Sequence, residues 1–148
     1  MITIEVTNEQ AELPVDEGRL MRAARMILDD ASIHEARISL AVVDDPTIQR
    51  LNREYLKHDE ATDVLSFVLE RQERRLEGEV VVSADTARQA ASSFGWSADD
   101  ELLLYVIHGM LHLTGCDDDT PERLAAMRAR ERTYLARFGL EPHEEIDD

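Results

Sequence analysis

Apolar positions recur along this chain with two periods, and the changes between them divide it into elements. Ile2, Ile4 and Val6 alternate with Thr3 and Glu5, the pattern of a short strand with one covered face. Past the turn at Leu13-Pro14, Leu20, Met21, Ala24, Ile27 and Leu28 follow helical spacing, with Asp16 able to cap the helix. Ile38 to Val43 is a β-branched run of strand length. Asp45-Pro46 then opens a helix, with the cap before proline and Ile48, Leu51 and Tyr55 facing inward. Thr62 to Leu69 reads as a strand entered through a polar turn, Arg71 to Arg75 as a flexible link, and Gly78 to Ser83 as a second buried strand. Ser83 caps a short helix that ends before Gly95, and Ser97 with Asp99, Asp100 and Glu101 starts the next one. That helix, Leu102 to Leu113, is apolar on nearly every face, so it runs through the middle of the fold. Thr120-Pro121 begins a last helix with Leu124, Met127, Leu135 and Phe138 inward and arginines outward.

Four strands and about five helices, not strictly alternating, predict an α+β domain: a small mixed four-stranded sheet packed around a central buried helix. With 148 residues, the chain fits a single domain over residues 1–140 and an acidic tail over 141–148.

The central helix carries the candidate chemistry. His108 and His112 lie four residues apart, on one helical face, and can reach one ion at the roughly 2.0–2.1 Å of imidazole–zinc bonds. Gly115 permits a left-handed residue that turns the chain back, so that an acid beyond it can close the shell. Position counting favours Asp118, with Asp117 and Asp119 as alternatives. The spacing from His108 through Gly115 to Asp118 has the shape of an extended zinc-protease motif. Gly109, however, stands where those proteases carry their glutamate base. The competing reading is two histidines satisfied in a buried helix beside an acidic cap. His34, His58 and His143 lack a partner at ligand spacing or lie in a turn or the tail.

Composition narrows the setting. The only cysteine, Cys116, flanks the motif turn, which excludes a disulfide framework and points to a reducing compartment. No run has the length of a membrane span and the N-terminus lacks a signal-peptide pattern, so the expectation is a cytoplasmic protein. The formal charge of −16 argues against general affinity for nucleic acid, although basic and acidic residues balance, six against six, between Arg50 and Arg75.

Two blocks resemble one family. The run Leu51-Asn52, Tyr55, His58-Asp59, Thr62-Asp63-Val64-Leu65-Ser66-Phe67 precedes Gly78-Glu79-Val80-Val81-Val82-Ser83 and the histidine motif. Together these are similar to the bacterial YbeY proteins. The resemblance implies a metal-dependent endoribonuclease of ribosomal RNA maturation, chiefly of the small subunit, and of ribosome quality control. RNA and ribosome-associated proteins would be its partners, without DNA or membrane. The family's third ligand is usually histidine where Asp118 stands, so zinc is expected, with manganese or iron(II) favoured more than by an all-histidine site. A basic residue common in the family is Leu56 here, and Arg53 and Lys57 are close enough to compensate. Arg53, Lys57 and the Arg71, Arg74, Arg75 cluster are candidates for phosphate oxygens. Asp63 and Ser66 could orient substrate or ligands, or equally stabilise a turn and a strand end. No residue is assigned as general base. The rival functions are a metalloprotease, against which Gly109 counts, and a non-catalytic ribosome-assembly factor with a structural metal.

Overall fold

The computed structural model describes residues 1–58 and 62–141. The tail from residue 142 on, with His143, and Asp59 of the first resemblance block lie outside the described residues. Nine elements follow in order: β1 (Ile2–Asn8), α1 (Glu17–Asp30), β2 (Glu35–Val43), α2 (Asp45–Leu56), β3 (Val64–Gln72), β4 (Arg75–Ser83), α3 (Ala84–Phe94), α4 (Ala98–Leu113) and α5 (Pro121–Ala136). The sheet order is β1-β2-β4-β3. β1, β2 and β4 run parallel, and β3 closes one edge antiparallel to β4. The expected α+β domain with a mixed four-stranded sheet and five helices is thus the observed one.

One sheet face is the main core. Ile38, Leu40, Val42, Leu76, Val80 and Val82 point to a layer of α1, α3, α4 and α5, and α4 runs through its centre against α1, α3, α5, β3 and β4. Each residue of α4 from Leu102 to Leu113 except Leu104, His108 and His112 is buried, as its all-round apolarity requires. On the opposite face, α2 lays Ile48 over Val43, Leu65 and Val81, with Leu51 beside them.

Local chemistry sets the boundaries. Asp16, Ser83, Ser97 and Thr120 each accept a hydrogen bond from the backbone N–H three residues on, which ties down the first turns of α1, α3, α4 and α5. At α4 the bond is reciprocated by Asp100 to make a capping box.

Four expectations change. The segment Arg71 to Arg75 is no flexible link: the β3–β4 ladder continues to the pair Gln72–Arg75 across a two-residue turn. Long charged side chains suit this end because β3 is an edge strand with exposed residues. The cap of α2 is Asp44 rather than Asp45. Asp44 accepts from the Thr47 N–H at 3.0 Å, and hydrogen bonds from Thr47 hold its carboxyl below the usual carboxylate range. Asp45 instead accepts from the Ser83 and Thr86 hydroxyls, joining α2 to α3. Tyr55 is 65% exposed and meets the Phe67 ring edge-on, because α2 has there reached the edge strand; Asn52 is the buried residue of that turn. Met21 and Leu124 are also exposed, and Ala23 of α1 and Tyr134 of α5 are among the residues that face the core instead.

Candidate metal centre

The C-terminal half of α4 lies unusually close to the sheet. A Cβ on Gly109 would stand 2.5 Å from Val80 Cγ1 of β4 and 3.1 Å from Ser66 Oγ of β3. The residue after the first histidine therefore faces the sheet, and glycine is what lets the helix sit there. A glutamate base of the zinc-protease kind has no room at this position. Ser66 Oγ donates to the Gly109 carbonyl at 3.3 Å, fastening helix to strand at the same point.

With Gly109 against the sheet, His108 and His112 project together to one side, their rings 4.7 Å apart and 78° inclined. The helix then ends at Thr114. Gly115 adopts φ +110°, a conformation unfavourable to any side chain, and the Gly115 and Cys116 N–H groups donate to the His112 and Leu111 carbonyls. Arg71 of β3 lies against this turn: its Nη2 donates to the Thr114 carbonyl at 3.1 Å and leaves 2.7 Å for a Cβ on Gly115.

The reversal brings Asp118 over the imidazoles, its Oδ2 3.5 Å from His108 Nε2 and 3.5 Å from His112 Nε2. Those separations are too long for good hydrogen bonds. They match the roughly 3.3–3.5 Å between ligand atoms that share a tetrahedral ion at about 2.0–2.2 Å. The ligand atoms of His108, His112 and Asp118 all lie within 4.8 Å of one another. Of the neighbouring aspartates, Asp117 is exposed and Asp119 is taken by Arg123 at 2.9 Å, which holds its carboxyl below the usual range. The donor set and its spacing thus fit one divalent cation.

One partner was not anticipated from sequence. Glu131 of α5 places Oε2 2.6 Å from His108 Nδ1, while its Oε1 accepts from Arg128 Nη1 at 2.8 Å. Its side chain is 4% exposed. The available signal was an acid on the apolar stripe Met127, Glu131, Leu135, where an outward residue would not fall.

A cleft of about 360 Å³ borders the histidines. Leu56 from the end of α2, Val64, Ser66 and Val68 from β3, and Leu113 form its walls. Ser66 therefore lies at the site, with its hydroxyl engaged by α4. Asp63 is exposed just before β3, accepting Thr62 Oγ1 at 3.3 Å on its carboxylate and the Ser83 N–H at 3.0 Å on its carbonyl. Arg53 and Lys57 are exposed on and just after the last turn of α2, and neither lines the cleft. Lys57 is a left-handed cap directly after Leu56. Arg75 pairs with Glu35 and Glu70, leaving Arg71 as the member of its cluster that the fold carries to the metal turn.

Comparison with known proteins places the chain in a family. The family described as Endoribonuclease YbeY matches residues 5–139. Endoribonuclease YbeY of Sulfurovum sp. strain NBC37-1 is 40% identical over 146 residues, covering 95% of this chain and 94% of its own. That of Moorella thermoacetica is 38% identical over 150 residues, covering 91% and 96%. The solution structure of TM1509 from Thermotoga maritima shares the fold, with a TM-score of 0.60 at 23% identity over 94% of this chain and 92% of that one. With the family match spanning nearly all of the chain, and relatives of this identity aligned along most of their own length, this protein belongs to the YbeY endoribonuclease family.

Proposed function

We propose that this protein hydrolyses RNA phosphodiester bonds in ribosomal RNA maturation, at a cation held by His108, His112 and Asp118. The observation that carries the reading is the convergence of one carboxylate oxygen on two imidazole Nε2 atoms, 3.5 Å from each, beside an open cleft. A divalent cation there would supply Lewis acidity, activating water and neutralising charge that develops at phosphorus. Zinc fits the two imidazoles, and the hard carboxylate also admits manganese or iron(II).

The protein's own groups set the rest. Leu56, Val64, Val68 and Leu113 line the approach to the ligands with apolar side chains. With a formal charge of −16 the molecule has little general attraction for RNA, and binding relies on local cations. Arg71 at the metal turn, with Arg53 and Lys57 at the end of α2, supplies them for the phosphate backbone, and Asp63 and Ser66 hold the neighbouring strand in register. The same reading includes zinc as resident metal, ribosome-associated proteins as partners and a cytoplasmic setting. For the described residues, no helix is long and apolar enough to cross a membrane.

Structured ribosomal RNA incubated with the purified protein is the test. Cleavage should cease with chelator, return with zinc or manganese, and be absent in His112→Ala. Cleavage that survives both chelator and that substitution would overturn the proposal.

A further inference from the structure

The contact between His108 and Glu131 spans two helices and 23 residues of sequence, yet among the described residues it is the shortest approach either histidine makes to a carboxylate, 2.6 Å against 3.5 Å. Withdrawing a carboxylate from water costs several kcal/mol unless partners replace the solvent. Glu131 has two: Arg128 on one oxygen and His108 on the other. Arg128 balances the charge, so the pair brings Glu131 to the imidazole without adding a net negative charge.

Imidazole has two nitrogens with opposite duties. A carboxylate at Nδ1 can only accept, so the proton of a neutral ring resides on Nδ1 and the Nε2 lone pair is left to coordinate. Nε2 is the atom that faces Asp118. The hydrogen bond also fixes the rotation of the His108 ring, whose side chain is 17% exposed.

We infer that Glu131 is a positioning residue of the metal centre: it locks His108 in the Nε2-ligating tautomer and orientation, and Arg128 in turn holds Glu131. This rests on the reading of His108, His112 and Asp118 as ligands. A residue that merely joined α5 to α4 would influence folding but neither tautomer nor metal affinity.

Zinc affinity, measured by chelator competition on the wild type, Glu131→Gln and His112→Ala, distinguishes these. Glu131→Gln should retain one zinc per chain at roughly 10–100-fold weaker affinity, the range for loss of such a partner. Its melting in chelator should remain cooperative. Histidine ¹⁵N spectra of the zinc-free wild type, taken at a pH where its imidazoles are neutral, supply a readout that needs no variant: the His108 proton should sit on Nδ1, with Glu131→Gln mixing the tautomers. Unchanged zinc affinity in Glu131→Gln, or a wild-type His108 protonated at Nε2, would overturn the inference while leaving the ligand set intact. Equal zinc binding by the wild type and His112→Ala would remove the ligand set itself, and the inference with it.

Discussion

Two buried glutamates stand at opposite ends of α4, and their surroundings separate a sealed region from a working one. Glu101, 1% exposed, belongs to the first turn, where negative charge is favoured by the helix dipole, and neighbours Tyr105 one turn on. Leu102, Leu103 and Val106 there are wholly enclosed. Burial first, and then the charge of Glu101, pushes the Tyr105 phenol far above its ordinary range. Glu131 is equally enclosed but meets an imidazole whose second nitrogen faces a cleft. Both carboxylates need partners for the same reason, namely lost hydration. What differs is where the neighbour leads: Tyr105 lies enclosed in the core, whereas the second nitrogen of His108 faces Asp118 beside the cleft.

The largest effect should come from the working end. His112→Ala should lower RNA cleavage by roughly 10³-fold or more, the scale of a lost electrostatic contribution to a transition state. Urea unfolding in chelator should change far less, and a loss of stability matching the loss of activity would erase the distinction between the ends. Gly109→Ala lies at the boundary. Its methyl would sit 2.5 Å from Val80 Cγ1, and the overpacking should outweigh alanine's better helix propensity, leaving a net loss of about 1–2 kcal/mol by urea titration. Ser97→Ala removes half of the capping box at the sealed end and should cost about 1 kcal/mol with zinc affinity unaltered. The smallest effect appears only in alkali. Because the folded protein raises the phenol's pKa above the ordinary 10.0, it holds the Tyr105 proton more tightly than the unfolded chain does. That contribution is complete below pH 10 and fades as the pH rises beyond it. Thermal melts should therefore fall between pH 10 and 11 in the wild type and fall less in Tyr105→Phe.

Features governed by near neighbours along the chain are legible in the sequence alone. The caps at Ser83, Ser97 and Thr120, the i, i+4 histidines and the left-handed Gly115 depend on a few adjacent residues, and each is present in the fold. Strand order is not legible, because parallel pairing of β1, β2 and β4 depends on how helices cross over the sheet. The charged end of the β3–β4 hairpin reads as a link, since an edge strand keeps its ladder without apolar alternation. Asp44 and Asp45 offer two equivalent caps, and only the hydroxyls of Ser83 and Thr86, distant in sequence, separate them. Glu131 escapes for a related reason. Its place on the stripe of Met127 and Leu135 marks it as inward, but only the packing of α5 against α4 sets His108 beside it.

X-ray absorption at the zinc edge of the reconstituted protein reads out the set His108, His112 and Asp118 itself. One zinc per chain should show only nitrogen and oxygen neighbours at about 2.0–2.1 Å, and the outer-shell scattering of two imidazole rings. A sulfur neighbour near 2.3 Å from Cys116, or a shell of water oxygens without imidazole scattering, would contradict that set.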